Sequence, residues 1–255
     1  MAVSAQLDLR IRMLACSSGA TSAPNPALAE SEVHVWRAEL GPDSPHASVY
    51  RRLLSADEVA RADRFVFEKH RHDFIVSRGS LRVILASYLS VNPASLEFSY
   101  SAHGKPSLAV PGSDLAFNAS HTEGIALFAI VRSRRIGVDV EKVWDDFEPD
   151  AIAERFFSAS ERAALRGLNS LAKHEAFFTC WTRKEAYIKA HGEGLSLPLD
   201  QFDVSLLPDE PARLVSTRPD PAEALHWSLH ALPLGPGYAA ALVVETQDGP
   251  PARGQ

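Results

Sequence analysis

Two cysteines in 255 residues, Cys16 and Cys180, are too few for a disulfide framework and form no zinc-binding spacing. No apolar run approaches the roughly 20 residues that a membrane-spanning helix needs. A basic surplus is lacking too. The formal net charge is −6, which argues against a general nucleic-acid binder but leaves room for a local basic pocket around a phosphate-rich small molecule. There is no Walker-type phosphate loop, no G-x-S-x-G elbow and no H-E-x-x-H, and Gly192-Glu193-Gly194 is too short for a dinucleotide motif. What remains is the composition of a soluble globular protein, and the cysteine usage fits a reducing, cytoplasmic setting.

Along the chain, residues 1–30 read as a flexible leader. Arg10 and Arg12 with a single acid before Glu30, Asp8, look faintly like a transit segment, whereas the alternation of Leu7, Leu9, Ile11 and Met13 reads as a strand. Ser17 to Pro26 reads as a link. Val33 to Trp36 is a short strand. Ser55 followed by Glu58 is a capping box that predicts a helix to about Lys69, and a second helix runs from His72 to Leu89, stopped by Asn92-Pro93. Strands follow at Leu96–Tyr100, Leu115–Phe117, Gly124–Val131 and Ile136–Glu141. Helical signals return with a second capping box at Ser158 and Glu161 and a long pattern from Lys173 to Ala190, before strands at Phe202–Val204, Leu225–Leu232 and Tyr238–Val244. Helices then strands, twice over, predict an α+β fold of two similar halves, 31–135 and 136–250.

Asp139 and Glu141 lie two apart on a strand, so both carboxylates point the same way. A hard divalent cation makes such a pairing favourable, but a solvated strand face has the same pattern. Glu185 and Lys189, one helical turn apart, read from spacing as an ordinary surface pair; Phe177, Trp181 and Ile188 form a buried stripe beside them. Gly104-Lys105-Pro106 puts a cation on a rigid turn. Asn118-Ala119-Ser120-His121 supplies a hydroxyl and an imidazole. Lys69, His70, Arg71, His72 and Arg78 form a basic cluster, either solvated surface or a hold on phosphate. Cys180 reads as core.

Taken in order, Gly104-Lys105-Pro106, Phe117-Asn118-Ala119-Ser120-His121, Ile136-Gly137-Val138-Asp139-Val140-Glu141, Phe156-Phe157-Ser158 with Glu161, Trp181 to Lys189 and Gly192-Glu193-Gly194-Leu195 resemble the 4′-phosphopantetheinyl transferase superfamily, in its surfactin-synthetase-activator type. The resemblance implies two α+β halves related by pseudo-twofold symmetry, with the active site at their interface. It implies a magnesium ion, with manganese as a substitute, held by Asp139, Glu141 and Glu185. Coenzyme A would be bound by Lys105, Pro106, Ser120, His121 and Lys189, helped by Arg78 and Lys69. Glu185 would be the base, and Glu161 a supporting catalytic residue.

The implied reaction moves the phosphopantetheine arm of coenzyme A to a serine of an apo acyl or peptidyl carrier protein and releases 3′,5′-ADP. The implied setting is a cytoplasmic monomer serving polyketide or nonribosomal peptide synthesis, with neither nucleic acid nor membrane as partner. Two other readings use the same residues: a hydrolase of the coenzyme A pyrophosphate, and a non-catalytic carrier-binding module.

Overall fold

A computed structural model describes residues 9–16, 26–41, 46–144, 146–192, 196–218 and 220–246; most of the link Ser17–Pro26, and Glu193-Gly194-Leu195, lie outside them. The chain gathers into two units. One comprises Met1–Ser99, Pro106–Phe117 and Glu123–Ser133, the other Tyr100–Lys105, Asn118–Thr122 and Arg134–Gln255.

The first unit is built on a four-stranded sheet of order β1-β2-β6-β5, from β1 (Arg10–Ala15), β2 (Glu32–Glu39), β5 (Leu115–Thr122, of which Asn118–Thr122 count with the second unit) and β6 (Ile125–Arg132). Strand β6, Ile-Ala-Leu-Phe-Ala-Ile-Val-Arg, is apolar without alternation and buried from Ile125 to Val131, as an interior strand must be. The reading of residues 1–30 as a flexible leader needs correction, because β1 pairs in parallel with β2, from Arg10 opposite Glu32 to Ala15 opposite Arg37. Its backbone groups find partners in that ladder, which a loose leader would leave to water.

The helices of this unit are α1 (Ala47–Arg51), α2 (Ala56–Asp63) and α3 (Glu68–Leu89). The capping box forms as expected, with the Ser55 amide donating to Glu58 at 3.0 Å. The break after α2 comes earlier than the sequence suggests, at Arg64–Phe67 rather than near His70. Phe65 leaves the helix and its ring lies 5.5 Å from that of Phe74, whose centre is also 5.3 Å from the Arg61 guanidinium. Tyr88 ties α3 to β2: its hydroxyl accepts from Trp36 Nε1 at 2.8 Å and bonds His34 Nδ1 at 2.6 Å.

In the second unit β7 (Ile136–Lys142), β10 (Trp227–Ala231) and β11 (Tyr238–Glu245) form an antiparallel sheet of order β10-β11-β7. Two short helices, α4 (Pro149–Phe156) and α5 (Ala159–Arg166), precede the long α6 (Ser170–His191). Asn169 caps the start of α6 by accepting from the Ala172 amide, and Gly192 ends it with a positive φ of 91°, a conformation glycine adopts at little cost. A small hairpin, β8 (Phe202–Val204) with β9 (Leu214–Thr217), packs alongside.

Phe157, Phe177, Tyr187, Phe202, Trp227 and Val243 fill the core of this unit. From Ala176 onward α6 is buried on most of its circumference, not along one stripe. It lies close against β7 because Gly137 has no side chain: a Cβ there would stand 2.1 Å from the Ala186 carbonyl oxygen and 2.4 Å from the Ala190 nitrogen.

Candidate active site

On the last three turns of α6 the burial pattern leaves one face partly open, formed by Trp181, Glu185 and Lys189 at successive steps of four. Around them Ala186, Tyr187, Ile188 and Ala190 are in the core. The sequence pattern had placed Trp181 inside a buried stripe. It instead shares the open face with the two charged residues.

Close contact between α6 and β7 brings Lys189 to Asp139. Its ammonium lies 2.6 Å from Asp139 Oδ1 and 3.0 Å from Ser120 Oγ, and the Ser120 hydroxyl donates to the same Asp139 oxygen at 2.8 Å. The other oxygen, Asp139 Oδ2, is buried with no hydrogen-bond partner. An acceptor left bare inside a protein is costly unless something positive completes it.

Two further carboxylates feel this one. Burial and then the Asp139 charge push the Glu141 carboxyl up to about 7, against the pull of Thr122 and Lys189. Burial and Asp139 likewise raise Glu185, with Lys189 opposing. Among the described residues no three His, Cys, Asp or Glu side chains are gathered closely enough to grip a metal ion as they stand. The donor chemistry nevertheless suits a hard cation: oxygen ligands only, mutually repelling, one of them the orphaned Asp139 oxygen.

The other predicted residues fall into three groups. Lys105 is tied to the backbone of the same two elements, donating to the carbonyls of Ile136 in β7 (3.3 Å) and of Lys189 in α6. Burial, then the charge of Arg135, brings its ammonium down to about 8. His121, next to Ser120, points to the exposed side of β5, and Pro106 opens the short strand β4 (Pro106–Leu108), which pairs with β3 (Phe98–Tyr100).

Lys69 and Arg78 belong to the first unit and have acidic partners there. Lys69 meets Asp73 at 3.3 Å, while Arg78 bonds Glu58 and lies 4.1 Å from the Phe98 ring centre.

Glu161 stands apart. Its oxygens accept from the Ser158 and Val204 amides, both at 2.9 Å, and pair with Lys184 at 2.8 Å in the core. Lys184 also donates to the carbonyls of Leu199 and Phe202, both at 2.7 Å. This carboxylate is engaged in holding α5, α6 and β8 together.

Sequence reasoning missed the aromatic wall. A cleft of about 320 Å³ opens beside Glu141, lined by Trp144, Phe147, Ile152, Phe177, Phe178 and Trp181. Trp144 is 41% exposed, with the Lys142 ammonium 4.3 Å from its ring centre. An aromatic only three residues after the paired acids was the available signal.

Comparison with known proteins settles the lineage. Residues 135–243 match the model of the 4′-phosphopantetheinyl transferase superfamily, and residues 39–132 that of the 4′-phosphopantetheinyl transferase N-terminal region. The chain is 40% identical over 223 residues to the 4′-phosphopantetheinyl transferase HetI of a Nostoc species, covering 87% of this chain and 91% of that one. It belongs to the 4′-phosphopantetheinyl transferase superfamily. Among other relatives, a Bacillus subtilis 4′-phosphopantetheinyl transferase is 35% identical over 61% of this chain and 68% of its own length. The transferase Sfp of the same species is 28% identical over 79% and 86%. The superfamily model spans Asp139, Glu141, Glu185 and Lys189, together with Glu161.

Proposed function

We propose that Asp139, with Glu141 and Glu185 beside it, is the centre at which this transferase moves phosphopantetheine from coenzyme A to a serine of an apo carrier protein. One observation carries the assignment: a buried aspartate whose single engaged oxygen is shared by Ser120 and Lys189, while its other oxygen is unpartnered and its charge helps raise the proton affinity of Glu141 and Glu185.

Asp139, Glu141 and Glu185 would hold a magnesium ion, which supplies charge neutralisation at the pyrophosphate when bound. Ser120 and His121 take the phosphates of coenzyme A. Lys189 and Lys105 provide positive charge where the leaving 3′,5′-ADP becomes more negative, and such preorganised charge is the usual largest contribution to acceleration. Glu185 accepts the serine proton, a task suited to a carboxylate whose affinity for protons is raised. The aromatic cleft takes the apolar stretch of the pantetheine arm. Lys69 and Arg78, engaged with Asp73 and Glu58, are secondary candidates for phosphate contact, and Glu161 keeps a structural role.

The carriers we infer are those of polyketide or nonribosomal peptide synthesis, met in the cytoplasm by a monomer. Among the described residues no helix is long and apolar enough to cross a membrane.

The test is intact-mass measurement of several apo carriers after incubation with coenzyme A and magnesium. The expected product is carrier plus one phosphopantetheine, lost with Asp139→Ala and with Glu185→Gln. Full transfer by either variant would remove the site from these residues, and consumption of coenzyme A without a carrier would indicate hydrolysis instead.

A further inference from the structure

Strands β5 and β7 belong to different sheets, yet polar side chains of one are bonded to the other at every second position. Asn118, Ser120 and Thr122 project from the same face of β5 by the two-residue period of a strand. Asn118 Oδ1 accepts from the Val138 amide at 2.9 Å, and Thr122 Oγ1 accepts from the Lys142 amide at 3.2 Å, each across a separation of 20 residues. Between these two backbone clips, Ser120 donates to Asp139 and Thr122 donates to Glu141 Oε2 at 3.3 Å, each across 19. The two clips fix the register of β7, and a slip by one residue would turn both acids to the opposite face. Thr122 has a double part: its lone pair holds the strand, and its proton holds the carboxylate.

We propose that Thr122 is a positioning residue, which with Asn118 sets β7 in register and fixes the Glu141 carboxylate for cation binding. The proposal rests on the reading of Asp139 and Glu141 as the cation site. A hydroxyl that orients a ligating carboxylate from outside the ligand set typically changes metal affinity by about 10–100-fold when removed. Valine in place of threonine keeps the branched shape and removes both bonds, while serine keeps the hydroxyl and loses only a methyl group.

The experiment measures binding of Mn2+ alone by the loss of its free-ion electron paramagnetic resonance signal, in wild type and in Thr122→Val, Thr122→Ala and Thr122→Ser, with melting temperature followed in parallel. The expected result is Mn2+ binding weakened about 10-fold in the valine and alanine variants and restored in the serine variant. The magnesium concentration for half-maximal transfer should move in the same order. Wild-type Mn2+ affinity in the valine and alanine variants would overturn the proposal. So would an affinity in the serine variant as low as in alanine, or losses that follow melting temperature rather than the hydroxyl. Glu141→Gln separates the two levels: if it binds Mn2+ like wild type, the reading of the site itself fails. If it loses binding while Thr122→Val does not, only the role of Thr122 fails.

Discussion

At the scale of single residues, the same charged side chain can be read as catalyst or as scaffold, and only its partners decide. Glu161 and Lys184 lie within charged motifs of the sequence, but both are fully enclosed and bonded to each other and to backbone groups. Removing one partner of such a pair leaves an uncompensated charge in the core, at about 3–5 kcal/mol. Lys184→Met is therefore expected to lose stability of that order in urea denaturation. Glu161→Gln should be destabilised too, while keeping its turnover per folded molecule at permissive temperature.

Lys105 carries a prediction of the opposite kind. Its ammonium loses its proton around pH 8, so coenzyme A binding that depends on that charge weakens as pH rises through this value. The KM for coenzyme A should climb above about pH 8 in the wild type and stay flat in Lys105→Arg, whose guanidinium keeps its charge throughout that range. Steady-state kinetics across the pH range checks this.

At the scale of elements, periodicity made much of the architecture legible. The two capping boxes, the facing acids of β7 and the one-turn spacing of Glu185 and Lys189 all follow from local repeats of two or about four residues. Contacts between distant segments have no such signature. Nothing local in the sequence announces that Lys105 bonds the carbonyl of Lys189, 84 residues on, or that Asn118 accepts from Val138. The true break between α2 and α3 was hidden for the same reason, since Phe65 leaves its helix for a ring on the next one.

Gly137 shows how strictly two elements can be set. In Gly137→Ala the added carbon meets backbone atoms, which cannot rotate away. We expect about 1–3 kcal/mol of lost stability, or more, together with loss of transfer activity as Lys189 is drawn from Asp139. Denaturation and single-turnover measurement on the same preparation would read both.

The tie between β2 and α3 is sensitive to acid. Burial, then Arg12, holds the His34 imidazole below its ordinary 6.5, with Glu32 opposing. A base that protonates less readily folded than unfolded stabilises fully above the unfolded value and progressively less as pH falls below it. Melting temperature should therefore decline below about pH 6.5, and the decline should be shallower in His34→Gln, which can still accept from Tyr88 without titrating.

At the scale of the whole molecule, deeply buried backbone among the described residues includes β6 in the first unit and, in the second, the C-terminal half of α6 apart from its one open face. Backbone amides there should exchange most slowly with deuterium, whereas β1, a sheet edge with Arg10, Arg12 and Met13 exposed, should exchange early. Peptide-level hydrogen exchange would rank them. An equal rate in β1 and β6 would show that the sheet opens as one piece.

The way the chain alternates between its units limits how the gene can be divided. Tyr100–Lys105 and Asn118–Thr122 count with the second unit although they precede it in the sequence. A fragment beginning at Arg134 would keep all three candidate cation-binding acids but lack Lys105, Ser120 and His121, along with both clips on β7. It could not be rescued by better folding conditions, only by supplying the missing strand as a separate piece. Exchange of halves between related enzymes cut at that point would mix β5 of one parent with β7 of the other, so the hybrids that work should be those in which Asn118, Ser120 and Thr122 find the same spacing opposite them.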